Sequence, residues 1–168
     1  MTEGSRLVVL EMTRIEATHL AGLVGQFVEL LEDDVEGART DDPAVARLVP
    51  PAYADDEEAA REFRSLTEDD LLSRRAADAH AVLSSLGPEI IDEDADLSLA
   101  TVTDVITIPL DPNGVRSWLR TLAAVRLVLA SRLGIIDDDD HSEDDPRFGI
   151  YDWLGFRLDG LVRAATED

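Results

Sequence analysis

The sequence predicts a mainly α protein: a four-helix-centred bundle carrying a small two-stranded sheet. Three observations lead there. Four segments, 14–32, 67–86, 111–134 and 148–165, repeat apolar residues at helical spacing. Two short β-branched runs, Arg6–Met12 and Asp104–Leu110, each lead into a helix-capping residue. The chain has 168 residues, 45% of them hydrophobic. That length is enough for one domain spanning 1–168 that buries roughly 70% of its unfolded surface without covalent staples.

Each element has a local reason. After the first strand, Thr13 and Glu16 stand at capping-box spacing. Leu20, Leu23, Val24, Phe27, Val28, Leu30 and Leu31 then carry the first helix to the acids at Glu32. Pro43, Pro50 and Pro51 predict a connector from Asp41 to Ala54 with at most one turn of helix. Acids at Asp55–Glu58 and Thr67–Asp70 favour the positive ends of two helices, 56–65 and 67–86, the second stopped by Gly87-Pro88. Residues 90–103 read as an acidic loop or weak strand. The strand 104–110 has an edge proline, Pro109. Asp111-Pro112 then opens a helix that runs to Gly134, as an N-cap with proline in the first turn should. Strand, cap and helix recur 98 residues after Thr13, an echo that fits an old duplication. Residues 136–147 form an acidic solvated loop, since Asp137–Asp145 holds seven acids, and Phe148–Ala165 is the last helix. The two strands are expected to pair.

Thirty-seven acids against fifteen bases give a net charge of −22, and every base is arginine. That field repels phosphate backbones, whose binding depends on neutralising cations, so neither nucleic acid nor an anionic membrane is the expected partner. A protein partner or a second copy is. Without cysteine there are no disulfides or thiolate sites. Met1–Arg14 lacks a charged start and a long apolar run, and no apolar stretch reaches about 18 residues, so a soluble, cytoplasmic protein is expected.

The chemistry-bearing residues are few. His19, His80 and His141 show no metal-ligand spacing and read as surface histidines. The acidic runs starting at Asp92 and Asp137 lack the glycine and glutamate of a calcium loop. Neither a nucleophile elbow nor a phosphate loop is present. No catalytic residue, metal site or cofactor is therefore expected, and the protein is not read as an enzyme.

Arg75 falls within the stripe Leu71, Ala79, Val82, Leu86, where it must pair with a carboxylate, snorkel out or hold an anion. Arg126 and Arg132 flank the stripe Trp118, Leu122, Val125, Leu129 and are read in the same way, as structural or anion-binding. The helix carrying them has four arginines and one acid, net +3, leaving −25 elsewhere. It is the natural central element. On the last helix Ile150, Leu154, Leu158, Leu161 and Ala165 read as core. Trp153 and Phe156, near Gly160, face the other way and form either a partner-binding patch or a surface covered within the monomer.

The run Trp118–Ile135, the motif Tyr151-Asp-Trp-Leu-Gly155, Leu66–Leu71 and the Leu20–Leu31 helix resemble the actinobacterial family DUF2017 over nearly the whole chain. The resemblance implies a largely helical protein without assigned activity or catalytic residues. Family members are often encoded beside the adaptor of the caseinolytic protease and beside a metallopeptidase with a sulfur-carrier protein, and some are labelled transcriptional regulators. The expected function is a non-catalytic interaction or regulatory module, linked to ATP-dependent proteolysis by that context. A DNA-binding regulator is the alternative, since helices 56–65 and 67–86 with Arg61, Arg64, Arg74 and Arg75 mimic a helix-turn-helix. An enzyme using Arg75 with a carboxylate is the third reading.

Overall fold

The computed structural model describes residues 6–32, 42–48, 57–87, 103–135 and 144–167. In chain order the elements are β1 (Val8–Thr13), α1 (Arg14–Glu32), α2 (Pro43–Leu48), α3 (Glu57–Leu86), β2 (Val105–Leu110), α4 (Pro112–Leu133) and α5 (Gly149–Thr166), with a 3-10 turn at Pro146–Phe148 before α5. The protein is mainly helical with one two-stranded antiparallel sheet. The expected loops at 90–102 and 136–143, and the connector from 49 to 54, lie outside the described residues.

The helix α4 packs against all four other helices. Its N-terminus is fixed by Asp111, whose side chain accepts from the Gly114 N–H at 2.7 Å, with Pro112 in the first turn. Its end is set by Gly134 in the left-handed conformation (φ 75°), which satisfies the terminal carbonyls of Ala130 and Ser131. Trp118, 1% exposed, anchors the core with Leu122, Val125, Leu20, Val24, Leu72 and Val82. Its indole N–H donates to Ser85 Oγ (2.8 Å), and that hydroxyl donates to the Val82 carbonyl (2.7 Å), so this tryptophan carries no unpaired polar atom. A smaller cluster, Ala130, Ile135, Phe148 and Tyr151, closes the far end of α4 over the start of α5.

The sheet is protected at both edges by an arrangement that follows from its register. Val8 stands opposite Leu110 and Thr13 opposite Val105, and the Arg14 N–H donates to the Asp104 carbonyl (2.9 Å). Hydrogen-bonded and non-bonded pairs alternate along an antiparallel ladder. The bonded pairs are therefore Met12 with Ile106, Leu10 with Ile108 and Val8 with Leu110, while Val9, Glu11 and Thr13 turn their backbone groups to the outer edge of β1. Two of those groups are taken: the Thr13 N–H by Glu16 Oε2 (2.8 Å) and the Glu11 carbonyl by Arg157 (2.9 Å). Across the ladder Pro109 occupies a non-bonded position, so it costs β2 no ladder bond and deletes a donor from the free edge.

Three expectations are corrected. Residues 56–65 and 67–86 are one thirty-residue helix, α3. Leu66-Thr67 contains neither glycine nor proline, so nothing breaks the backbone there, and the half packed on α1 and α4 holds the rest in register. The supposed helix-turn-helix is absent. The connector contains a six-residue helix, α2, rather than at most one turn: Asp42 accepts from the Ala44 N–H (2.9 Å), Pro43 opens the first turn, and Val45 and Leu48 are buried. On α5 the core stripe is Tyr151, Leu154, Leu158 and Leu161, with Ile150 (52% exposed) and Ala165 outside it. Tyr151 displaces Ile150 because the far-end cluster and Arg126 rotate that ring inward.

Thr121 is 1% exposed, and its hydroxyl has no hydrogen-bond partner among the described residues. Thr121→Val, which keeps shape and removes the hydroxyl, is expected to raise unfolding free energy by about 1 kcal/mol, read as a higher urea midpoint at unchanged slope.

Candidate functional site

The capping box that starts α1 doubles as a junction. Glu16 Oε2 accepts from the Thr13 N–H (2.8 Å), and the Glu16 N–H returns a bond to Thr13 Oγ1 (3.3 Å). The other oxygen, Oε1, accepts from the Trp153 indole N–H (3.1 Å) and from Arg157 (2.6 Å). One carboxylate thus joins β1, α1 and α5. Partial burial pushes its proton affinity up, but the bonds from Arg157, the Thr13 N–H and Trp153 together outweigh that and hold its pKa at about 2, below its ordinary 4.5.

Beside this junction α1 and α5 diverge and leave a groove of about 550 Å3. Leu23 and the exposed Ile150 form apolar walls, Trp153 forms one end, and His19 stands at the rim. Gly22 and Gly149 line it with bare backbone, and a Cβ added at either meets no atom within 4 Å. A surface of this kind takes up apolar side chains. Its one carboxylate, Glu16, is held within the fold by the Thr13 N–H and hydroxyl, Trp153 and Arg157.

Trp153 and Phe156, expected together on α5, line two different depressions. Trp153 is half-buried, packed against the main core and bonded to Glu16, so it belongs to the groove. Phe156 is 71% exposed and lies in a separate shallow depression with Arg126, Gly155 and Val162. Gly160 is exposed, one turn beyond Phe156. Gly160 lines neither depression, and Arg157 lies between the Trp153 and Phe156 rings, 6.0 and 5.9 Å from their centroids.

The arginines are placed as follows. Arg75 is half-buried and reaches the carbonyl of Leu48, the last residue of α2, at 3.4 Å. Burial lowers its pKa from the ordinary value, and Asp78 opposes that. The guanidinium therefore ends on a helix C-terminus, a site that favours cations. Arg126 lies over the Tyr151 ring, 4.0 Å from its centroid, and its Nε approaches the Tyr151 carbonyl at 3.5 Å. Gly155 makes this approach feasible, since a Cβ there would stand 3.1 Å from Arg126 Nε. Arg132 grips Asp42 with two bonds, 2.9 and 2.7 Å, tying the end of α4 to the cap of α2. That pairing lowers the Asp42 pKa and raises that of Arg132.

His80 pairs with Glu32 at 2.9 Å, His19 is exposed, and His141 lies outside the described residues. Among the described residues no group of three or more His, Asp or Glu is arranged to hold a metal. No described helix is long and apolar enough to cross a membrane. Sequence reasoning found Glu16 only as a cap, placed Ile150 in the core, and missed Arg157 and Gly22. The one available signal was Gly22 itself, a residue costing about 1 kcal/mol against alanine inside a helix.

Fold and site define a mainly helical domain with an apolar groove between its first and last helices. The chain belongs to the family described as Domain of unknown function (DUF2017), whose sequence profile matches residues 1–165. No curated protein matches the chain, and no solved structure does.

Two outcomes test this geometry. Because the folded Glu16 holds its proton only below about pH 2 and the unfolded one below about 4.5, its contribution is complete above pH 4.5 and is lost as pH falls toward 2. Glu16→Gln is expected to cost about 1–2 kcal/mol at pH 7, discounted for solvent exposure. The stability difference between wild type and variant should shrink through that window in pH-resolved urea melts. Phe156→Ser should leave stability within about 0.5 kcal/mol of wild type, whereas Trp153→Ala should cost about 2 kcal/mol, measured by thermal unfolding.

Proposed function

We propose that the protein is a non-catalytic interaction module that receives a protein partner in the groove between α1 and α5. The observation that carries this reading is the groove itself: an apolar channel with Ile150 held out to solvent, in a chain whose net charge is −22. What distinguishes Ile150 from other exposed aliphatic residues is its place in a concave surface with Leu23 and Trp153, which a partner's apolar side chains can fill. The committed roles of Glu16, Arg75, Arg126 and Arg132, each bonded within the fold, support the non-catalytic part. The same pairings, together with the acidic charge, support a protein rather than a polynucleotide as partner. We place the module in the cytoplasm, in keeping with its lack of cysteine. The family's gene neighbourhood makes a component of ATP-dependent proteolysis the first partner to test.

A photo-crosslinking amino acid at position 150, introduced in the native host, is expected to give a discrete adduct with another protein, while the same group at exposed Arg116 gives none. Equal labelling at both positions, or none at 150, would overturn the reading.

A further inference from the structure

We infer that α2 is a releasable clip: Asp42–Leu48 undocks and unwinds as one unit while the body built from α1, α3, α4 and α5 stays folded. Its release uncovers an apolar seat on α4, with the guanidiniums of Arg132 and Arg75 at either end.

Side chains alone hold α2 in place. Its inner face is Ala44, Val45 and Leu48, each at most 1% exposed, and α4 is the helix it chiefly packs on. Among the described residues no backbone–backbone hydrogen bond joins it to another element; the Ala46 N–H bonds to the Asp42 carbonyl (3.0 Å), within the clip itself. A helix of six residues is less than two turns long, too short to persist in water without a surface to lie on. It is therefore helical only when docked, so undocking and unwinding are one event. The covalent links permit that event. Residues 33–42 and 49–56 join α2 to α1 and α3, and either stretch has a reach of more than about 25 Å.

The two ends of α2 are fastened unequally. At the N-terminus, Asp42 caps the helix through the Ala44 N–H (2.9 Å) and also receives the fork of Arg132 (2.9 and 2.7 Å). The carboxylate that starts the helix is thus the one that latches it to α4. At the C-terminus the Leu48 carbonyl takes one long bond from Arg75 (3.4 Å), whose Nε is buried with no partner among the described residues. Burial also lowers the Arg75 pKa, the mark of a cation better solvated in water. Undocking returns that guanidinium to solvent. The closed state is therefore held by Asp42 and opposed by Arg75.

Opening changes the character of this surface. Arg132 and Arg75 grip opposite ends of α2, about 9 Å apart at the rise of a helix. Released, they present two cations beside an apolar seat in a chain of net charge −22, a combination covered while α2 is closed.

Native-state hydrogen exchange on the full chain, read by mass spectrometry at urea concentrations below the unfolding transition, tests the clip. Amides 44–48 should be at least about a hundredfold less protected than amides 118–125 of α4. Their exchange should also rise less steeply with urea, because opening the clip exposes less surface than global unfolding. Asp42→Asn keeps a capping side chain but loses the charged fork, and should speed exchange at 44–48 about tenfold. Val45→Asp sets a carboxylate beneath the clip; protection at 44–48 should vanish while the cooperative thermal transition and protection at 118–125 persist. Exchange of both segments at one rate and one urea slope would overturn the inference, because α2 would then open only with the whole fold. Unchanged exchange in Asp42→Asn would do the same, as would loss of the cooperative transition in Val45→Asp.

Discussion

Everything else in this protein is arranged around the central packing of α4, which meets all four other helices. A helix that is apolar on more than one face cannot be satisfied by one neighbour; it needs cover on each of those faces. The other four helices supply it: α1 and α3 over Trp118, Leu122 and Val125, α2 against the C-terminal half, and α5 across Arg126. The arrangement explains why the most arginine-rich helix sits centrally in an anionic chain. Each cation at the margin of its stripe meets something electron-rich on a neighbour: the Tyr151 ring, the fork of Asp42, or the carboxylate of Asp78 beside Arg120. The arginines of α4 act as fasteners between helices.

The aromatic motif of the last helix has the same explanation. In Tyr151-Asp-Trp-Leu-Gly155, Tyr151 gives a face to Arg126, Gly155 gives the room for that guanidinium to lie down, Leu154 is buried, and Trp153 reaches Glu16. These residues dock α5 onto α4 and onto the β1–α1 corner. They are interlocking parts of one contact. The groove is the by-product of that docking: fixing α5 at Trp153 and Arg157 sets its angle to α1, and the space left beyond the junction is the open channel. Site and fold thus share the carboxylate of Glu16.

The sheet shows how local and distant constraints meet. Two strands alone are marginal and expose edges. Here each strand leads directly into a capped helix, and the edge of β1 is closed by groups brought from elsewhere in the chain, above all Arg157, 146 residues from the Glu11 carbonyl it binds.

Much of this was legible in the residues. Thr13 with Glu16, Asp111 with Pro112, and Gly134 mark helix ends through bonds to neighbours three or four positions away, so they act whatever the rest of the chain does. Apolar spacing identified α1, α4 and α5, and the absence of cysteine and the excess of acid narrowed the chemistry. The fused α3 was misread because acids at Thr67–Asp70 imitate a helix start, and only packing on α1 and α4 decides whether a start is used. Ile150 and Tyr151 are adjacent and both apolar, so a helical wheel cannot choose which one faces inward; Arg126 and the cluster at Ile135 choose. The groove was invisible for the same reason. Its walls come from residues about 130 positions apart, and a space between two helices is a property of their mutual angle, which sequence periodicity does not encode.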